Sequence, residues 1–476
     1  MRKITRQTKI IATIGPASES SEMLTKLINE GVDVIRLNMA HADHDWIRMI
    51  TKRIRTVGKE LNREPAIMMD VKGPEIHTGY LHKDLDLQKD DLLDLVFIAQ
   101  PNPPVCEGIW QVEVNYDKLP DHIKTGDTVL LDNGLIQLEV IDSSTERIRC
   151  QVQQDAVLKS RRHVNLPGIE TGLPSLTEKD RRDSLVGIEC THDYFALSFT
   201  RDADSVDLFR SFLRDNGSDA QIIAKLEDQK GVINVEEIIQ SSDALMVARG
   251  DLGIECAFED LPIIQRKAVG ACLAAGKPVI VATHMLESMI ESPVPTRAEI
   301  SDVANAVNEG ADCIMLSGET TTGRYPLECV KMLTRIASRM EEEIQPGLTE
   351  ELKLFRPKAK MLRSAAMLAM RLDNSAVLVF TRSGDLAAKL GALRPNGAPL
   401  FAFTDVKGLH RRLRLIWGIE PFLMDFSQDP EITIQNAINR LHEGKWIEEG
   451  DQLVTVTNAF AHRKVIESIQ IREVEF

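Results

Sequence analysis

Eight short, uninterrupted apolar runs, most of them separated by amphipathic stretches, constrain this chain more than any other feature. They are Lys9–Gly15, Val32–Asn38, Ala66–Val71, Asp193–Phe199, Gln221–Glu227, Ala244–Arg249, Pro278–Thr283 and Cys313–Ser317. Continuous rather than alternating apolar character suits strands buried on both faces of a parallel sheet. Stretches between them, such as Ser21–Glu30, Val232–Ile239 and Leu261–Ala275, suit helices. Eight strand–helix units predict an α/β fold, a (β/α)8 TIM barrel. An open doubly wound sheet is the alternative; the count of eight favours closure.

The rhythm breaks twice. Residues 73–165 hold short β-like pieces, Leu92–Ile98, Thr128–Leu131 and Leu135–Ile141, around an Asn133-Gly134 turn signal. They predict a small β-barrel inserted after the third strand, at the active-site end of the barrel, where it serves as a lid. After about residue 345, marked by Pro346-Gly347, a helix at Lys358–Leu372 leads into a new series. Its strands are Ala376–Phe380, Pro399–Phe403, Gln452–Val456 and one near Ser468–Val474. The expected division is 1–72 with 166–345 as catalytic barrel and 73–165 as lid. The remainder, 346–476, is expected to be a doubly wound α/β domain for regulation or oligomerisation.

A chain of 476 residues exceeds one ordinary core, in keeping with several domains. Its net charge of −15 argues against general nucleic-acid binding, which needs a basic face. Anionic substrates then need focused Lys, Arg or metal charge. The seven cysteines (Cys106, Cys150, Cys190, Cys256, Cys272, Cys313, Cys329) have no CxxC pair and suit reduced thiols in the cytoplasm. Met1–Thr5 lacks the apolar run of a signal peptide, and no run of ~18 apolar residues predicts a membrane span.

Chemistry concentrates at the strand ends. Side chains at i and i+2 of a strand share a face, so Lys225 and Glu227 point together at the barrel mouth. A surface ion pair is the plainer reading, but the preceding run is apolar. The next strand ends in Arg249-Gly250-Asp251-Leu252-Gly253, which alone suits an ordinary turn. Together, Glu227 and Asp251 form a hard-oxygen pair suited to Mg²⁺ with positions open to substrate. Thr283 ends the following strand, where a helix N-cap is the plainer reading. Ser317-Gly318-Glu319-Thr320 is compatible with anion contact. Arg36 and Asn38 share a face, and Arg suits phosphate or carboxylate. Asp70 ends strand three; Lys72, Glu75 and His77 begin the insertion. His41 and His44 lack a third metal ligand and read as helix-start or surface histidines.

With these residues placed, the chain resembles the pyruvate kinase family along essentially its whole length. The segments that carry the resemblance are Thr8–Ser18, Gly31–His41, Met69–Gly79, Ala224–Gln229, Val247–Gly253, Ala282–Met289, Arg297–Ala306 and Ile314–Thr320, in the family's order. The resemblance implies transfer of a phosphoryl group from phosphoenolpyruvate to ADP. It implies Mg²⁺, or Mn²⁺ in its place, on Glu227 and Asp251, and Lys225 as stabiliser of the transferring group. It implies Arg36 on the phosphate, with Gly250, Asp251, Thr283 and Ser198 on the substrate side. Thr283 would also lie near the path of enolate protonation. Asn38, Ala40, His41, His77 and Lys179 match nucleotide-side positions. A homotetramer is implied as well.

The departures are local. The family's potassium site uses Asn, Ser, Asp and a Thr carbonyl. Asn38 and Asp70 remain and Ala40 deletes the Ser ligand; Val71 replaces the Thr, which matters less because that contact is main-chain, and Glu75 matches the potassium-dependent members, so a weakened K⁺ requirement is the expectation. His77 stands for a nucleotide-contacting Arg, which predicts ADP affinity that falls above pH ~7. His284 follows Thr283 where Gln is frequent. Asp228 follows Glu227 where Asn is frequent, and by alternation it faces away. Thr381-Arg382-Ser383-Gly384 begins like a sugar-phosphate loop, but Asp385-Leu386 and Asn458–Lys464 depart from it, which argues against activation by fructose 1,6-bisphosphate. Two other readings are an Mg²⁺-dependent phosphoenolpyruvate or pyruvate enzyme of another kind, and a catalytically weak sensor on the same fold. The first would not need Lys179 or the lid. The second predicts loss of Lys225, Glu227, Asp251 or Thr283, and all four are present.

Overall fold

The computed structural model describes residues 6–97, 108–343, 357–461 and 464–475, with the backbone alone for 458–461 and 464–467. Ile98, Cys106 and the Pro346-Gly347 break lie outside these residues. Eight parallel strands close into a barrel. They are β1 (Lys9–Thr13), β2 (Val32–Asn38), β3 (Ala66–Asp70), β4 (Tyr194–Leu197), β5 (Gln221–Leu226), β6 (Ala244–Ala248), β7 (Val279–Ala282) and β8 (Cys313–Leu316). Each strand pairs with its neighbour in sequence, and β8 closes on β1.

Strand alternation separates two apolar layers. Ile11, Val34, Met68, Ile223, Met246, Ile280 and Met315 fill the barrel interior. Their strand neighbours, such as Ile10, Ile35, Ile67, Ile222 and Val281, pack under the outer helices. Helix starts follow capping chemistry. Ser20 caps Ser21–Asn29, and Thr177 with Asp180 forms a reciprocal capping box on Glu178–Glu189. The barrel floor is plugged from the C-terminal part of the chain: Leu415 is fully buried among the interior residues. The opposite end, where the strands point, is left to hold the site.

The segment after β3, expected as a small β-barrel, forms a six-stranded sheet and a separate two-stranded ribbon. Its Asp132-Asn133-Gly134 turn lies at φ 51°, 57° and 85°, the left-handed conformation that Asn and Gly tolerate. Ile136–Ser143 then alternates buried and exposed side chains over most of its length, as a one-sided sheet requires.

The C-terminal part is a five-stranded sheet ordered Ile419–Leu423, Leu400–Thr404, Ser375–Phe380, Gln452–Ala461 and Lys464–Glu473. The first four run parallel, and the last two form an antiparallel hairpin. Ile419–Leu423 was not expected from sequence. It is an edge strand containing Pro421, the position where a missing amide is tolerated. Arg394 joins this part to the barrel through a buried ion pair with Asp312, 2.8 Å long, at the foot of β8. No described helix is long and apolar enough to cross a membrane.

Candidate active site

The inward alternation of β5 carries from Ile223 to Lys225 at the mouth, with Glu227 one step beyond. The Lys225 ammonium lies 2.7 Å from Glu227 Oε1 and 3.2 Å from Asp70 Oδ1, and donates to Ser198 Oγ at 2.8 Å. Asp70 in turn accepts Arg36 Nε at 2.7 Å, and Arg36 also donates to Thr13 Oγ1 at 3.1 Å. β1 to β5 therefore converge on one network. Burial works against the Lys225 charge, but Asp70 and Glu227 outweigh it and hold its pKa above the ordinary lysine value. Burial also works against the Asp70 carboxylate, and Lys225 and Arg36 reverse it, leaving that pKa low.

Glu227 is pushed the other way. Burial raises its pKa, Lys225 opposes the rise, and the charge of Asp251 adds to it. Its second oxygen accepts the Phe199 amide at 2.6 Å. Buried Glu227 and half-buried Asp251 close enough to raise each other's electrostatic cost favour a further cation. No group of three or more His, Cys, Asp or Glu able to hold a metal occurs among the described residues. A metal held by Glu227 and Asp251 thus keeps most of its positions for water or substrate, the condition Mg²⁺ accepts. Asp228 faces away, as expected: it caps the next short helix at Gly231 and pairs with Arg201.

Thr283 is not an N-cap. It sits at φ 69°, followed by His284 at φ 53°. Its hydroxyl donates to the Ala282 carbonyl at 2.6 Å and accepts the Gly250 amide at 2.7 Å. Gly250 and Asp251 belong to the short helix Arg249–Glu255 directly after β6. After β8, the anion reading of Ser317–Thr320 is overturned. Glu319 already takes the Ser317 amide at 2.7 Å and the Leu286 amide at 3.1 Å, so the chain supplies its own anion.

On the nucleotide side, Lys179 donates to the Met39 carbonyl at 2.9 Å, beside Asn38, Ala40 and His41. It also pairs with buried Asp183, which His44 Nε2 contacts at 2.8 Å. His77 is tied elsewhere, at the junction with the inserted sheet. Its Nε2 lies 3.1 Å from both Glu75 Oε2 and the Lys72 ammonium, and its backbone bridges to His163. Burial, then Lys72, His163 and Arg161, push its pKa down to about 4. Burial and these cations argue against the expectation that His77 titrates near neutrality.

The potassium set does not fit an ion well. Asn38 Oδ1 accepts the Ala40 amide at 3.0 Å, the Val71 carbonyl accepts Ser198 Oγ at 2.7 Å, and Asp70 is held by Arg36 and Lys225. Sequence reasoning passed over Thr13, Phe199, Arg249, Asp302 and Asp183. Alternation along Lys9–Thr13 could have flagged Thr13. Helical i,i+4 spacing from Lys179 could have flagged Asp183; the others act through backbone or distant contacts with no local sequence signal.

A closed parallel barrel whose mouth presents a buried, carboxylate-held ammonium defines an enzyme of the (β/α)8 barrel class. Family models place it further. That of the pyruvate kinase barrel domain matches residues 5–330, and that of the pyruvate kinase alpha/beta domain matches residues 359–467. Plastidial pyruvate kinase 2 of Arabidopsis thaliana is 38% identical over 484 residues, covering 99% of this chain and 82% of the relative. A pyruvate kinase of Geobacillus stearothermophilus is 41% identical, covering 87% and 71%. The crystal structure of a pyruvate kinase from Cryptosporidium parvum superposes with a TM-score of 0.91 at 33% identity, covering 98% of this chain and 96% of that one. The chain belongs to the pyruvate kinase family. It is a phosphotransferase, and its reaction is phosphoryl transfer from phosphoenolpyruvate to ADP, giving pyruvate and ATP.

Proposed function

We propose that the barrel mouth performs this reaction with Lys225 at its centre. The observation that carries the reading is the buried Lys225 ammonium bracketed by Glu227 and Asp70. It is a fixed positive charge in a water-poor site, where charge on a transferring phosphoryl group is stabilised most. Glu227 and Asp251 would hold Mg²⁺, or Mn²⁺ in its place, which when bound polarises substrate oxygens and offsets their charge. Arg36, steered by Asp70 and Thr13, reaches the phosphate. The Gly250 amide and Thr283 hydroxyl meet the substrate carboxylate, which replaces Thr283 as the amide's acceptor. Ser198 acts by fixing Lys225. Lys179 with Asn38, Ala40 and His41 forms the nucleotide side, to which His77 brings a neutral imidazole rather than a charge.

The domain limits we propose are 1–72 with 166–345, 73–165, and 346–476. The inserted sheet closes over the mouth and excludes water from the transferring group. Cytoplasmic location and a homotetramer complete the proposal. A lactate dehydrogenase-coupled assay with phosphoenolpyruvate, ADP and Mg²⁺ tests it. Pyruvate must form in proportion to ATP, and must cease on chelation of the metal; pyruvate formed without ATP refutes it.

A further inference from the structure

Thr283 is β-branched, yet it lies at φ 69° with His284 at φ 53°. Left-handed backbone at residues other than Gly is uncommon and persists only where surroundings impose it. Besides the Gly250 amide on its hydroxyl, one long side chain holds the Thr283 backbone. Arg249, from the end of β6, reaches across to the end of β7. One terminal guanidinium nitrogen donates to the Thr283 carbonyl at 2.6 Å, and Nε donates to the Ala282 carbonyl at 3.3 Å. The other terminal nitrogen lies 2.7 Å from Asp302 Oδ1, on helix Arg297–Glu309. A planar fork reaching two successive carbonyls and a carboxylate fixes direction as well as charge, which a lysine does not.

The consequence falls on the Thr283 side chain. With its carbonyl drawn to Arg249, its hydroxyl turns to the Gly250 amide at 2.7 Å. Arg249 thus bears on the Thr283 hydroxyl through the carbonyl of the same residue.

We propose that Arg249, anchored by Asp302, is a positioning residue that locks Thr283 in its left-handed conformation and so places the hydroxyl where the substrate carboxylate and the enolate are met. The proposal rests on the role assigned to Thr283 above. It assigns the Arg249–Asp302 pair to proton transfer at the substrate, not to nucleotide binding.

The test compares Arg249→Lys, Asp302→Asn and Thr283→Ala in the full chain with Mg²⁺. It measures kcat, KM for each substrate and Tm. It also follows exchange of pyruvate methyl protons with D2O in the presence of ATP, which reads proton transfer apart from turnover. Arg249→Lys is expected to lower kcat and exchange together by ~10–100-fold, the scale of a small misplacement of a reacting group. KM for ADP is expected to stay within about twofold, because Thr283 is assigned to the substrate carboxylate and not to the nucleotide. Asp302→Asn is expected to show the same pattern more weakly, and Arg249→Lys should add little on a Thr283→Ala background. Thr283→Ala with undiminished kcat and exchange would remove the role of Thr283 itself. An impaired Thr283→Ala beside fully active Arg249→Lys and Asp302→Asn would overturn the positioning alone. So would a loss spread equally over both KM values with a lowered Tm. If Arg249→Lys does not fold, Asp302→Asn, a partly exposed anchor, decides by the same criteria.

Discussion

Lys225 and Glu227 form a buried ion pair 2.7 Å long at the end of β5. Removing one partner of such a pair leaves the other charge uncompensated, at about 3–5 kcal/mol. Lys225→Met strands Glu227 and leaves Asp70 with Arg36 alone. We expect it to lower stability by about 3 kcal/mol or more. Mg²⁺ is expected to restore part of the loss by supplying charge beside Glu227. Denaturant unfolding with and without Mg²⁺ measures both effects. Unchanged stability of the metal-free variant would mean that the pair is not buried as described.

His77 is expected to leave nucleotide affinity insensitive to neutral pH. With its pKa pushed down to about 4 by burial and by Lys72, the imidazole stays neutral from pH 6 to 8. KM for ADP should show no His77-dependent step in that window. The same curve measured on His77→Gln is expected to have the same shape. A rise in KM through about pH 6.5, the ordinary His value, that disappears in His77→Gln would contradict this.

Potassium should matter little. Ala40 offers no ligand, and Asn38 and the Val71 carbonyl hydrogen-bond within the chain. Activity in Tris or tetramethylammonium buffer is expected to remain within about threefold of that with added K⁺, less than ~1 kcal/mol at the transition state. Ala40→Ser should increase the response to K⁺. Complete loss without K⁺, restored by its addition, would refute the reading.

Acid should weaken the fold through its buried histidines. Burial first, then Arg55, push His192 down to about 3; burial, then Arg414, push His410 down to about 4. The unfolded chain protonates these groups near pH ~6.5, so below that it binds more protons than the folded chain. Their contribution is whole above pH ~6.5 and is lost as pH falls toward the folded values. At pH 5 the loss is about 2 kcal/mol for each. Denaturant midpoints for the wild type and His192→Gln at pH 7.5 and pH 5 check the sign. The variant should lose less on acidification, and an equal loss in both would rule out His192 as a source.

Much of this was legible in the sequence because barrel strands are buried on both faces. Ile222–Ala224 and Ala244–Ala248 leave no doubt about the strands, and alternation alone put Lys225 beside Glu227. Asp251 followed because its glycine-flanked turn ends the adjacent strand. What escaped depended on shape. Ile419–Leu423 is an edge strand broken by Pro421, so its pattern is weak. In sequence Glu319 falls in a segment compatible with anion contact, whereas in the fold its own carboxyl accepts the Ser317 and Leu286 amides. Burial at the junction with the inserted sheet, then Lys72 and His163, disfavour the charged His77 ring, and neither the burial nor the meeting with His163 shows in sequence spacing. The hold of Arg249 on Thr283 depends on a left-handed backbone that no residue preference announces.

The most direct measurement follows phosphorus by ³¹P NMR in a mixture of phosphoenolpyruvate, ADP and Mg²⁺. With the wild type, the phosphoenolpyruvate signal should pass stoichiometrically into the γ-phosphate of ATP. With folded Lys225→Met, verified by circular dichroism, the rate should fall by ~10²–10³-fold or more, the scale for loss of one preorganised charge-stabilising group. Transfer by Lys225→Met at the wild-type rate, or release of inorganic phosphate in place of ATP by the wild type, would contradict the account.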